Sequence, residues 1–272
     1  MERVVEKHDR VYVTKKIPYK KIKEFPDRIL NKCFNFAYNM TYGESGQHRS
    51  YRSGGINRRK NGEIFINTFQ GKLAEYGIWN EFKNRNFEIG SPDLSEDMLG
   101  KWDEFDFIYN GYKISVKSTK FYGNLLLLEK KDWTEKGIYI PDKAKETSYY
   151  DFFVLLRISP NGENIMKNNK ILYSQKIDKE ELKNIMLQNC NRWSYDIPGF
   201  ITHEDLCYVI KNEHIIKQGS ILNGSTKIDA DNYYVQTGDM RNIELMFTEV
   251  ADIKFKEIDE QGDKETYKLK IK

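Results

Sequence analysis

The stretch Phe105-Asp106-Phe107-Ile108-Tyr109-Asn110-Gly111-Tyr112-Lys113-Ile114-Ser115-Val116-Lys117-Ser118-Thr119 sets the frame for the rest of the chain. Asn110-Gly111 is a strong hairpin signal, because both residues tolerate the positive φ that a type I′ turn demands. Strands are predicted on either side, over Phe105 to Tyr109 and Tyr112 to Lys117. A two-residue loop fixes their register, with Tyr109 opposite Tyr112, Phe107 opposite Ile114 and Asp106 opposite Ser115. Side chains alternate across the pleat, so one face carries Phe107, Ile114 and Val116 and the other Asp106, Ser115 and Lys117. Opposed residues have Cβ atoms about 5 Å apart, so an acid, a hydroxyl and an amine converge.

Working outward, Pro26-Asp27 opens a helical pattern through about Tyr42, in which Ile29, Leu30, Cys33, Phe34, Ala37 and Tyr38 recur at helix spacing. Gly43 to Asn61 is rich in Gly, Ser, Asn and Arg and reads as a long loop. A second helix is expected from Thr68, as N-cap, to Arg85. Past the hairpin, Asp151 to Ile158 is almost continuously apolar and is stopped by Ser159-Pro160-Asn161-Gly162, the pattern of a central strand buried on both faces. Asp178 and Glu181 have capping-box spacing ahead of a helix. Leu206 to Ile210 reads as a further strand, and later strand-like pieces include Asn232 to Val235 and Glu265 to Ile271. The expected fold is α/β (α+β), a central mixed sheet flanked by helices. Its expected parts are an amino-terminal helical region with a basic loop (1–64), a core (65–212) and a carboxy-terminal extension packed on that core (213–272).

With 272 residues, 39% hydrophobic and 14% aromatic, the chain can bury a substantial interior. A formal charge of +3 is too mild to imply a polyanionic partner, so local clustering must carry that inference. The amino terminus, Met1-Glu2-Arg3-Val4-Val5, lacks the apolar stretch of a signal peptide. No run approaches the roughly 18 apolar residues of a membrane span, and a cytoplasmic protein is expected. Cys33, Cys190 and Cys207 are too scattered for a disulfide framework. A zinc set of Cys190, His203, Cys207 and His214 lacks any compact ligand pair and is not favoured.

The spacing Asp106-(x8)-Ser115-Val116-Lys117 resembles the signature of the PD-(D/E)XK nuclease superfamily, an acid on one hairpin strand followed by acid-x-Lys on the next. The resemblance covers roughly residues 65 to 160 and implies a restriction-endonuclease-like core. It further implies a Mg2+ cofactor, replaceable by Mn2+, held by carboxylates, with the lysine positioning or stabilising charge. The family also places a Glu on the preceding helix, and Glu75 in Gly71-Lys72-Leu73-Ala74-Glu75-Tyr76 fits that position. Ser115 departs from the pattern, standing where the family has Asp or Glu. Glu75, or alternatively Glu129, is the expected source of the missing carboxylate. The expected catalytic set is therefore Asp106, Glu75, Ser115 and Lys117, with Asp106 and Glu75 as metal ligands. Pro92-Asp93 carries the literal dipeptide but lies in a turn-like segment before the hairpin, and Asp103 has the wrong parity.

Between Glu44 and Glu63 the loop gathers His48, Arg49, Arg52, Arg58, Arg59 and Lys60 with no intervening acid. Arginine contacts phosphates or reads guanine bidentately, so Arg49, Arg52, Arg58, Arg59 and Lys60 are the expected DNA contacts, with Tyr51 able to stack. Lys15, Lys16, Lys20, Lys21 and Lys23 form a second basic cluster of lesser weight. Together these features lead to the expectation of a restriction endonuclease cutting double-stranded DNA as a homodimer. A junction, repair or transposition nuclease on the same core stays open, as does a DNA-binding protein whose catalytic site has decayed.

Overall fold

The structure, a computed structural model, describes residues 1–43, 59–94, 106–140, 149–188, 192–222, 224, 226–252, 255–258 and 265–268. In chain order the strands are β1 (Val5–Lys7), β2 (Arg10–Tyr12), β3 (Lys23–Glu24), β4 (Phe107–Tyr109), β5 (Tyr112–Lys120), β6 (Leu125–Glu129), β7 (Phe152–Ser159), β8 (Ser194–Thr202), β9 (Ile215–Ile216), β10 (Ile221–Leu222), β11 (Thr226–Lys227), β12 (Asn232–Gln236), β13 (Phe255–Ile258) and β14 (Glu265–Lys268). The α-helices are α1 (Asp27–Tyr42), α2 (Asn61–Asn84), α3 (Gly162–Asn168), α4 (Lys179–Lys183), α5 (His203–Lys211) and α6 (Ile243–Ala251).

The hairpin forms as its sequence requires. Asn110 and Gly111 adopt φ of 48° and 85°, and Tyr109 faces Tyr112 while Phe107 faces Ile114. This hairpin is the edge of a five-stranded mixed sheet of order β3-β8-β7-β5-β4. Only the β5–β7 pairing in it is parallel; the others are antiparallel. The fold is thus α+β. The apolar run predicted as a central strand is β7, whose residues from Phe152 to Ile158 are all buried.

The two faces of this sheet bury different partners. Ile114, Val116, Phe152, Val154 and Leu156 pack with Cys33, Phe34 and Ala37 of α1, Leu73 and Ile78 of α2, Met166 of α3 and Phe247 of α6. Helix α2 comes close because Gly77 has no side chain: a Cβ there would lie 2.5 Å from Leu156 Cδ2. On the opposite face, Phe153, Leu155 and Ile201 pack with Leu206 and Val209 of α5 and with Leu126, Leu128, Tyr233 and Val235 of β6 and β12. The outer side of that second layer is covered by Val4, Val11 and Val13 near the amino terminus.

Two elements differ from their sequence expectation. Helix α2 begins at Asn61, not at Thr68, because Ile64, Phe65 and Ile66 are buried and Glu63 caps the Lys60 N–H at 2.8 Å. Leu206 to Ile210 is helix α5, not a strand. Thr202 and Asp205 form a reciprocal capping box that starts a helix, and a five-residue apolar run carries no period strong enough to reveal it. Residue 64 lies inside α2, β3 joins the central sheet, and β12 pairs with β6.

Arg157 ties the amino-terminal segment to the core. It is 1% exposed, donates from Nε to Asp196 Oδ1 at 2.8 Å and from Nη2 to Asp196 Oδ2, and donates to the carbonyls of Ile17 at 2.6 Å and Pro18 at 3.1 Å. Among the described residues no helix is long and apolar enough to cross a membrane.

Candidate active site

Asp106 stands immediately before β4, and its Oδ2 accepts the Val116 backbone N–H at 2.6 Å and the Ser115 hydroxyl at 3.3 Å. The local cause is the shortness of β4. The strand begins at Phe107, so the carboxylate of Asp106 satisfies a β5 amide at the sheet edge that no further β4 residue pairs. Ser115 is 1% exposed, while Asp106 and Lys117 are half-buried. Asp106 Oδ1 makes no hydrogen bond among the described residues, which leaves one hard oxygen able to take a cation.

Alternation and pairing fix the face on which this site lies. Ser115 is beside Phe153 and Lys117 beside Leu155, both of which belong to the core under α5, β6 and β12. Asp106, Ser115 and Lys117 therefore share the face deduced from the sequence. Lys113 lies two residues before Ser115 in the same row, a position the period of two could have revealed. Its backbone N–H is held by Asp151 Oδ2 at 2.8 Å, and its ammonium lies 5.4 Å from the Tyr149 ring centre.

Glu75 is not brought to this site. It sits on α2, which packs against the Ile114 and Val116 face, and forms an ion pair at 2.8 Å with Lys72 one turn earlier. Gly77 points at the sheet, and Glu75, two residues back, is about 200° away around the helix. It lies toward α1, where burial first and the Glu75 charge second push the Cys33 thiol up, and where Lys72 stacks 5.3 Å over the Phe36 ring. The burial of Glu75 that called for a metal or lysine partner is met by Lys72. Glu129 ends β6, and by parity it shares the side of Leu125 and Leu127, which turns away from the central sheet. Asp93 is exposed beyond the end of α2. Among the described residues no three His, Cys, Asp or Glu side chains approach closely enough to hold a metal ion together.

Arg49, Arg52 and Arg58, with His48, Tyr51, Asp103 and Cys190, lie outside the described residues. Arg59 and exposed Lys60 stand at the start of α2, far along the chain from the hairpin. His203 and Cys207 are neighbours one turn apart on α5, with Sγ 3.8 Å from Nε2, while buried His214 stacks on Tyr234.

No protein-family model, curated protein or solved structure matches the chain. The geometry of the hairpin and its surroundings must bear the functional inference by itself.

Proposed function

We propose that the chain is a metal-dependent endonuclease that hydrolyses DNA phosphodiester bonds, acting on duplex DNA in the manner of a sequence-specific type II restriction enzyme. The observation that supports this is the Asp106 carboxylate bonded across the hairpin to Ser115 and Val116, with Lys117 two residues on along the same face. Asp106 would hold Mg2+, or Mn2+ in its place, through Oδ1. Such an ion, once bound, polarises the phosphodiester and lowers the pKa of an attacking water. Ser115 keeps Asp106 oriented, and the Lys117 ammonium stabilises charge that develops on the phosphate. A homodimer would present two such sites to the two strands of a symmetric target.

The test is cleavage of supercoiled plasmid in magnesium by the wild type and by Lys117→Ala. Loss of on the order of 100-fold or more is expected in a variant that keeps its circular dichroism spectrum. Undiminished cleavage by Lys117→Ala overturns the assignment. The neutral Ser115 hydroxyl bonded to Asp106, where the resembled signature carries an acid, favours a second reading, a DNA-binding protein that no longer cleaves. DNA binding with no cleavage in either magnesium or manganese would select it.

A further inference from the structure

The carboxyl ends of the parallel strands β5 and β7 carry a surface that the hairpin site does not use. Exposed Tyr122 follows β5, and its hydroxyl accepts a hydrogen bond from Asn161 Nδ2 at 3.0 Å just beyond β7. Phe121 packs edge-on against the Tyr122 ring at 5.1 Å and against Tyr19 at 5.9 Å, joining this end of the sheet to the amino-terminal segment. Lys120 and Lys167 both pair with the single carboxylate of Glu163, each at 2.6 Å. Hydrogen bonding to Glu163 raises the Lys167 ammonium above its ordinary value, and the Lys170 and Ile171 amides bond back to the Lys167 and Met166 carbonyls, each at 2.9 Å, which holds the segment leading to Tyr173 against the last turn of α3. Tyr173 is 62% exposed and Tyr122 52%. Beside Tyr19, Lys16 and Lys20 are exposed, with no ion-pair partner among the described residues.

Large aromatic rings left in water beside surplus positive charge have a specific chemical complement. A polyanion answers the lysines, and flat apolar faces answer the tyrosines; unpaired nucleotides supply both at once. Duplex DNA supplies only the first, because its base faces are already stacked. An acidic peptide also supplies only the first. We propose that this ledge binds single-stranded DNA, with Tyr122 and Tyr173 stacking on unpaired bases and Lys16, Lys20, Lys120 and Lys167 holding the backbone. Lys117 lies three residues before Lys120, about 10 Å along β5 and on the opposite face of the sheet, so the ledge and the hairpin site meet around the end of that strand. The inference rests on the nuclease reading only for its consequence, which is that the preferred substrate carries an unpaired strand, such as an overhang, flap or junction, next to the scissile duplex.

Binding can be measured without cleavage, by fluorescence anisotropy of a labelled 20-nucleotide oligothymidine and of a 20-base-pair duplex in EDTA. The full chain, the Tyr122→Ala/Tyr173→Ala double variant, Tyr122→Phe/Tyr173→Phe and, as a control on α5, Tyr208→Ala would be compared. The wild type should bind oligothymidine more tightly than duplex. The alanine pair should lose at least tenfold for the single strand with little change for duplex, while the phenylalanine pair and Tyr208→Ala retain binding. Poly-glutamate should compete poorly. Equal affinity for duplex and single strand, undiminished binding by the alanine pair, or effective competition by poly-glutamate would each overturn the proposal. Because the assay contains no metal, a failure here is distinct from a failure of Lys117→Ala to abolish cleavage. Tight single-strand binding by a chain that cuts nothing would sink the nuclease reading and leave the ledge standing.

Discussion

The Asp106 carboxylate receives the Val116 backbone N–H across the hairpin at 2.6 Å, so one side chain both closes the sheet edge and presents an oxygen to the site. The two roles separate by substitution. Asp106→Asn keeps an acceptor for the Val116 amide and should cost no more than about 1 kcal/mol of stability, while metal-dependent plasmid cleavage disappears. Asp106→Ala orphans that amide and should cost about 1–3 kcal/mol in urea denaturation. An Asn variant that still cleaves would exclude Asp106 as the metal ligand.

Glu75 and Lys72 form a pair that is 13% and 15% exposed, on the side of α2 toward α1. Glu75→Gln should therefore retain cleavage at close to the wild-type rate. Its effect belongs to stability, a loss of about 1–3 kcal/mol, because Lys72 would keep its charge with its partner neutralised. A plasmid assay showing abolished activity together with an unchanged denaturation midpoint would return Glu75 to the catalytic set.

Arg157 and Asp196 are 1% and 3% exposed, and the arginine also holds the carbonyls of residues 17 and 18. Arg157→Ala strands a buried carboxylate and should cost about 3–5 kcal/mol. Lysine cannot reproduce the two-pronged contact, so Arg157→Lys should recover only part of that loss. Limited proteolysis should also show earlier cutting near residues 15–22 in both variants. An Arg157→Lys protein as stable as the wild type would show that the fork geometry is unimportant.

Buried His214 stacks on Tyr234 with ring centres 5.6 Å apart. Burial is the main cause that lowers its pKa from the usual value, and the nearby Arg3 charge acts in the same direction. The native state thus holds a neutral imidazole, while the unfolded chain takes up a proton below about pH 6.5. The unfolded state binds more protons there, so this contribution to stability is fully present above about pH 6.5 and declines as the pH falls below it. Urea midpoints should drop between pH 7.5 and 5.5 in the wild type and drop less in His214→Phe. Parallel pH profiles for the two proteins would refute the assignment.

The local elements that were legible in the sequence are those whose signals are short-range. Asn110-Gly111 dictates its own turn because few other residues accept two successive positive φ values, and the period of two then carries Asp106, Ser115 and Lys117 to one face. The run ending at Ile158 could only be a strand buried on both sides, and α1 declared itself through one apolar stripe. Where apolar residues are few or surround the helix, the signal fails: Leu206 to Ile210 reads as a strand, and the start of α2 is placed at Thr68 in place of Asn61.

Backbone sterics and alternation act over a few residues, and they suffice to set the hairpin, its register and the meeting of Asp106 with Ser115 beside Lys117. Tertiary structure alone decided which face of the central sheet each helix covers. That choice turned Glu75 toward Lys72 and Cys33, and it brought Tyr19 against Phe121 and Tyr122 against Asn161 from segments distant in the chain. The physical reason is that helix placement follows from burying whole apolar faces against one another, a sum over many residues that no local spacing encodes.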